Sequence, residues 1–129
     1  MKFKTSPTGV VFDIPDDWWE FAEMERFDRA SGRFYYYGGQ PDTELAQVVD
    51  LASVEPPTRA VGTPLFRKYK LVPVLFAFSS PECSLPPVKV DLLPEPQGYR
   101  YRVTNGLHRY YASAAVGYTG LPVVIHGAD

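Results

Sequence analysis

The run Asn105-Gly106-Leu107-His108-Arg109 has the residue types of an anion-binding turn. It lies between a segment with the alternation of a strand and a segment with helical periodicity. The first N–H groups of a helix have no intrahelical partner, and the helix dipole favours an anion there. Gly106 allows a tight turn without a blocking side chain, and Arg109 offers the forked donor that phosphate accepts. The run therefore predicts a phosphate-binding turn, with His108 as an additional donor.

A second interpretation of the same run stays open at this stage. A cation in the first turn of a helix opposes the helix dipole, so Arg109 is poorly placed for helix stability alone. Either a bound anion or a nearby carboxylate would compensate for it. In the second interpretation Asn105 simply caps the helix, and Arg109 pairs with an acidic residue of the N-terminal half.

The elements around the turn follow from hydrophobic patterning. Alternation predicts two half-buried strands, Val88–Leu92 and Tyr99–Val103, joined by a hairpin loop. A helix is predicted from Leu107 to about Val116, with Gly117 ending it. A closing strand follows over residues 121–125. A hairpin, a helix and one more strand predict an α+β fold, with a small mixed β-sheet flanked by short helices.

The N-terminal part of the chain is richer in acidic and aromatic residues. Trp18, Trp19, Phe21 and Ala22 share roughly one helical face, which should pack inward. The predicted elements are a strand over residues 9–14, a helix over 18–27, an aromatic strand over 33–37, a short helix over 43–46 and a strand over 48–54. For residues 71–78 the apolar run is consistent with either a buried strand or a helix. The basic cluster at Arg67, Lys68 and Lys70 is interpreted as a solvated loop.

Composition excludes several classes of protein. The 129 residues suit a single domain, and 45% hydrophobic residues suffice for a core. One cysteine and two histidines exclude an internal disulfide and a Cys/His zinc site. No apolar run approaches the ~20 residues of a membrane span, and nothing resembles a signal peptide, so a cytoplasmic location is expected. Residues 1–57 carry a net charge of −6 and residues 58–129 a net charge of +4. The overall acidic balance disfavours nucleic acid as a partner.

Three blocks of the sequence resemble the ParB/sulfiredoxin superfamily. The longest covers residues 99–125, in which a strand, a Gly-x-His-Arg turn, a helix with an early alanine and a Leu-Pro-Val strand follow one another. The second block, residues 49–59, resembles the opening strand and Pro-Arg corner, and the third, residues 85–90, resembles the strand before the hairpin. The resemblance spans roughly residues 48–125 and leaves residues 1–47 as an N-terminal extension.

The resemblance implies a nucleotide site at the helix N-terminus. The expected ligand is ATP or CTP with Mg²⁺, with the phosphates held by the turn from Asn105 through Leu107 to Arg109. Gly106, His108 and Arg109 match the family's phosphate contacts, and Arg59 in the Pro-Arg corner is a candidate for a second one. Glu55 is the candidate acid for phosphoryl transfer. The implied function is a stand-alone module that binds a nucleotide or another phosphate ligand, with or without hydrolysis or phosphoryl transfer.

Departures from the family narrow this expectation. Sulfiredoxins carry their reactive cysteine at the position of Leu107, and their chemistry needs that thiolate, so this chain is not expected to be a sulfiredoxin. With 129 residues, this chain is not expected to carry the helix-turn-helix and dimerisation segments of partitioning ParB proteins. Two alternative functions stay open. One is a non-catalytic protein-interaction module that uses the Trp- and Tyr-rich N-terminal surface, and the other is a nucleic-acid-processing protein of the ParB-like nuclease type.

Overall fold

Seven strands and three α-helices occur in the residues that the computed structural model describes, namely 1–6, 9–27, 34–36, 46–79, 85–94 and 98–126. The strands are β1 (Lys2–Lys4), β2 (Val11–Asp13), β3 (Gln47–Asp50), β4 (Val54–Glu55), β5 (Val88–Leu92), β6 (Tyr101–Asn105) and β7 (Gly120–His126). The helices are α1 (Asp16–Phe21), α2 (Lys68–Phe78) and α3 (Leu107–Ala115), and short 3₁₀ turns cover Met24–Arg26 and Leu51–Ser53. None of the helices in these ranges is long and apolar enough to cross a membrane.

A mixed five-stranded sheet in the order β3-β7-β5-β6-β4 is the centre of the fold. β5 pairs antiparallel with β6 and parallel with β7, while β3 pairs antiparallel with β7 and β4 pairs parallel with β6. β1 and β2 form a separate antiparallel hairpin. The predicted α+β class with a mixed sheet is therefore confirmed, as is the hairpin between β5 and β6.

The two edge strands of this sheet are neighbours in the sequence. β3 and β4 lie at opposite edges, yet only Leu51–Ser53 separates them. Three residues cannot span a flat five-stranded sheet, so the sheet is curled until its edges approach each other. The N–H of Leu51 donates to the carbonyl of Thr119, and the carbonyl of Ser53 accepts from the N–H of Arg100. The prediction of one continuous strand over residues 48–54 is wrong because the chain changes sheet edges there.

Helices α2 and α3 pack against each other and contribute buried side chains to the apolar core. Residues 71–78, left undecided by the sequence, form part of α2, whose buried side chains are Leu71, Val72, Leu75 and Phe78. Their spacing places them on one side of a helix. On β5 the alternation is that of a half-buried strand, with Val88 and Val90 fully buried. The predicted helix after Gly106 and the closing strand are both confirmed as α3 and β7.

The acidic N-terminal helix is shorter than the sequence predicts. α1 ends at Phe21, and Glu23 has a left-handed backbone with φ of 59°, which ends the helix before the 3₁₀ turn. Ala22 is buried as predicted, but Phe21 is 68% exposed and its ring lies 5.1 Å from the Lys68 ammonium. The inward orientation predicted for Phe21 is wrong, since α1 packs on the core through the partly buried Trp18 and Trp19.

Several predictions fall partly or wholly outside the described residues. Of the aromatic strand predicted over residues 33–37, positions 34–36 are described and are not in a strand. Of the helix predicted over residues 43–46, only Ala46 is described. The single cysteine, Cys83, also lies outside the described residues.

Candidate functional site: a cationic cavity at the start of α3

A cavity of about 460 Å³ lies where β6 gives way to α3. Three parts of the chain enclose it: the corner after β4, one side of α2 and the end of β6 with the first turn of α3. The lining residues are Pro57, Thr58, Arg59, Lys70, Val74, Val103, Thr104, Asn105, Gly106, Leu107, His108 and Arg109. Three of these side chains are cationic, and among the described residues no carboxylate lines the cavity.

The first turn of α3 presents free backbone donors to this cavity. Gly106 is the N-cap residue, with φ of 122° and ψ of 29°, a conformation that strongly favours glycine. The N–H of Tyr110 donates to the Gly106 carbonyl at 2.9 Å and makes the first helical hydrogen bond. The N–H groups of residues 107–109 find no hydrogen-bond acceptor in the described part of the chain. The Asn105 side chain makes no capping hydrogen bond, so the interpretation that Asn105 caps the helix is wrong.

Arg109 is fixed by backbone carbonyls. Its Nη1 donates to the carbonyl oxygens of Pro86 at 2.7 Å and Pro87 at 2.8 Å. Both hydrogens on Nη1 are thereby used, and Nη2 lies beside Gly106, 3.1 Å from where a Cβ on that residue would stand. Carbonyls carry no formal charge, and no ion pair of Arg109 occurs among the described residues. The interpretation that Arg109 pairs with an acidic residue is therefore not what these residues show.

His108 is a buried, neutral histidine. The residue is 8% exposed, and its Nε2 accepts a hydrogen bond of 3.1 Å from the backbone N–H of Arg67. Burial lowers the pKa of His108 to about 4, and the charges of Arg59, Lys70 and Arg67 add to this effect. An imidazole that accepts at Nε2 carries its proton on Nδ1. Near neutral pH the ring thus brings one N–H donor and no charge to the lining.

A hydrogen bond from α3 anchors residues 57–59, the corner that carries Arg59. The hydroxyl of Tyr111 donates to the carbonyl of Pro57 at 2.6 Å, and burial raises the pKa of Tyr111 to about 12. Arg59 itself is exposed, with its Nε 3.5 Å from the carbonyl oxygen of Leu65. Arg59 lines the cavity and has no acidic partner among the described residues.

Lys70 is a lining residue that sequence reasoning missed. The prediction of a solvated loop for the basic cluster is wrong, because Lys68 and Lys70 lie in the first turn of α2. Lys70 and Val74 are four residues apart on that helix and both line the cavity. The four-residue spacing of Lys70 and Val74 places them on one side of a helix. It could not be used from the sequence alone, because the pattern did not show whether residues 71–78 are helical.

Glu55 does not belong to the cavity lining. It lies on β4, where its Oε1 accepts a hydrogen bond of 3.0 Å from the Nε of Arg102 on β6. The structure thus brings Arg59 together with the turn of residues 105–109 and leaves Glu55 in an exposed ion pair beside the site. Leu107 also lines the cavity.

The aromatic residues of the N-terminal half are divided between core and surface. Trp18 and Trp19 are partly buried and pack against the core, and Tyr36 is buried. Phe21, Phe34 and Tyr35 are exposed. A protein-binding role for this half stays a prediction.

Comparison with known proteins gives one partial similarity. No family model matches the sequence, and no curated protein matches it. Among solved structures, the chain is similar to the C-terminally truncated chromosome-partitioning protein ParB from Caulobacter crescentus, complexed with CTP-gamma-S. The identity is 19% and the TM-score is 0.48, and the match covers 65% of this chain and 45% of the ParB chain. The function proposed below rests on the geometry of the cavity.

Proposed function

We propose that the cavity at the start of α3 binds the phosphates of a small ligand, and that this ligand is a nucleoside triphosphate such as CTP or ATP. One observation carries the proposal: Arg59, Lys70 and Arg109 converge on one cavity whose described lining holds no carboxylate. The positive charges of Arg59 and Lys70 repel each other, and together with burial they disfavour protonation of His108. A polyanion in the cavity would remove that repulsion.

Each part of the turn has a role in this proposal. The N–H groups of residues 107–109 donate to phosphate oxygens, and the dipole of the nine-residue helix α3 favours their negative charge. Gly106 supplies the positive-φ conformation from which the helix and its free N–H groups begin. The Nη2 of Arg109, which lies beside Gly106, and the Nδ1–H of His108 supply further donors. Arg59 and Lys70 neutralise the outer phosphates from the opposite side.

The remaining lining suits the rest of a nucleotide. A volume of about 460 Å³ falls within the range of small-molecule sites. Val74, Val103 and Leu107 offer apolar surface for a sugar or base, and the Asn105 side chain is a polar group within the same lining. The described residues hold no group of three His, Cys, Asp or Glu side chains suited to a metal ion. We expect the phosphate oxygens of the nucleotide to carry Mg²⁺, because this ion usually takes few ligands from the protein.

Backbone amide NMR tests where the ligand binds. We expect CTP, ATP and inorganic tripolyphosphate each to shift the ¹⁵N–¹H resonances of residues 106–109. Cytidine, which has the same base and sugar as CTP but no phosphate, is the control and should leave these resonances unchanged at equal concentration. Shifts that cluster away from this turn, or equal shifts with cytidine and CTP, would contradict the proposal.

A further inference from the structure

Two side chains from distant parts of the chain meet at a single backbone oxygen. The carbonyl of Pro86 accepts a hydrogen bond of 2.6 Å from the hydroxyl of Tyr36 and one of 2.7 Å from the Nη1 of Arg109. The same Nη1 also donates to the carbonyl of Pro87 at 2.8 Å. Tyr36 is fifty residues away from Pro86 in the sequence and lies within residues 1–47, the N-terminal extension.

The Tyr36 hydroxyl is held in place by the core. The residue is 1% exposed, and its ring stacks on Phe78 at the end of α2, with ring centroids 5.9 Å apart. Two residues earlier, the carbonyl of Phe34 accepts a hydrogen bond of 2.8 Å from the N–H of Gly120 in β7. The hydroxyl therefore reaches Pro86 from a position fixed by α2 and the main sheet.

The Pro86–Pro87 pair needs support of this kind. Proline has no N–H, so neither residue can be anchored through a backbone donor of its own. Pro86 is also exposed and lies two residues before Val88, the first residue of β5. The orientation of its carbonyl then depends on the donors that reach it, which among the described residues are Tyr36 and Arg109.

We propose that Tyr36 is a positioning residue for the phosphate site, acting on Arg109 through the carbonyl of Pro86. The hydroxyl fixes the carbonyl, the two proline carbonyls fix Nη1, and Nη2 is thereby held beside Gly106 at the mouth of the turn. The effect on ligand affinity rests on the proposed function. In this arrangement the N-terminal extension is part of the binding machinery.

A double-mutant cycle tests the proposal, with inorganic tripolyphosphate as the ligand and calorimetry as the measurement. Tyr36→Phe removes one hydroxyl and keeps the stacked ring, and thermal melts establish that the variant folds. It should weaken binding about three- to ten-fold in the protein that retains Arg109, the scale of one hydrogen bond. In the Arg109→Gln background the same change should have no further effect. Tyr35→Phe removes the hydroxyl of the exposed neighbouring tyrosine and should bind like the wild type.

Two results would overturn the positioning role while leaving the phosphate site intact. The first is an unchanged affinity for tripolyphosphate in Tyr36→Phe. The second is an equal loss of affinity with and without Arg109, which would indicate that the substitution destabilises the protein generally. Should the wild type fail to bind tripolyphosphate, the proposed function fails, and guanidinium ¹⁵N NMR of the ligand-free protein decides the positioning role. Hindered rotation of the Arg109 Nη groups in the wild type that becomes fast in Tyr36→Phe supports it, and identical rotation in both proteins refutes it.

Discussion

The backbone N–H of Arg67 donates a hydrogen bond of 3.1 Å to the Nε2 of His108, which joins the residue before α2 to the first turn of α3. The bond requires an unprotonated Nε2. Protonation of His108 would remove this acceptor and add a fourth positive charge to a lining that already holds Arg59, Lys70 and Arg109. The neutral ring therefore links the two helices that border the cavity.

Acid should destabilise the protein through this histidine. The pKa of His108 is about 4 in the folded chain, against an ordinary value of 6.5, so the unfolded state binds the proton more tightly. The contribution is fully present above pH 6.5 and is lost as the pH falls from 6.5 toward 4. The loss is at most about 3 kcal/mol in the free energy of unfolding. Urea unfolding at pH 7 and pH 4.5 measures it. His108→Gln should lose less stability on acidification than the wild type, whereas exposed His126→Gln should behave like the wild type. A wild-type loss equal to that of His108→Gln would contradict the assignment.

Gly106 should tolerate substitution less well than another glycine with positive φ. A Cβ at Gly106 would stand 3.1 Å from the Nη2 of Arg109 and from both Cγ atoms of Val88, besides the strain of φ at 122°. At Gly62, φ is 86° and a Cβ would meet nothing within 4 Å. We expect Gly62→Ala to cost about 1 kcal/mol of unfolding free energy and Gly106→Ala about 2 kcal/mol or more, measured by denaturant unfolding. Equal costs would show that the neighbours of Gly106 yield freely.

The position of the corner at residues 57–59 should depend on the hydroxyl of Tyr111. Tyr111→Phe removes the 2.6 Å hydrogen bond to the Pro57 carbonyl and should lower the free energy of unfolding by about 1 kcal/mol. Because the corner carries Arg59, the affinity for CTP should fall as well. Tyr101→Phe is the matched control, since Tyr101 is only partly buried and its hydroxyl makes no hydrogen bond within the described chain. An unchanged CTP affinity in Tyr111→Phe would show that the position of this corner does not affect ligand binding.

The role of Glu55 as an acid in phosphoryl transfer stays a prediction, and it has a direct test. Glu55→Gln removes the charge from an exposed ion pair with Arg102, so it should change stability by less than about 1 kcal/mol. If Glu55 assists turnover, release of inorganic phosphate from CTP or ATP should fall in the variant while calorimetric affinity stays at the wild-type level. Phosphate release at the wild-type rate in Glu55→Gln would remove Glu55 from the mechanism.

The C-terminal elements could be predicted because their information is local. Strict alternation in Val88–Leu92 and the glycines that bracket α3 specify a strand and a helix without reference to the rest of the chain. By contrast, the interruption between β3 and β4 at Leu51–Ser53 results from the curl of the sheet, which cannot be read from the local sequence.

The same distinction applies to the site. The turn of residues 105–109 is contiguous, so its place between a strand and a helix could be predicted from residue types alone. The proline carbonyls that hold Arg109 and the neutral state of His108 depend on contacts across the fold. Lys70 joins the lining only because α2 is a helix that packs beside α3.

Calorimetric titration of CTP into three proteins tests the central claim most directly. The wild type should bind CTP, and Arg109→Gln should weaken binding by about 1.5–3 kcal/mol, the scale of hydrogen bonds to a charged group. Arg102→Gln removes the same charge from a residue that pairs with Glu55 outside the cavity, and it should bind nearly as tightly as the wild type. Equal affinity of Arg109→Gln and the wild type, or an equal loss in both variants, would contradict a phosphate site at the start of α3.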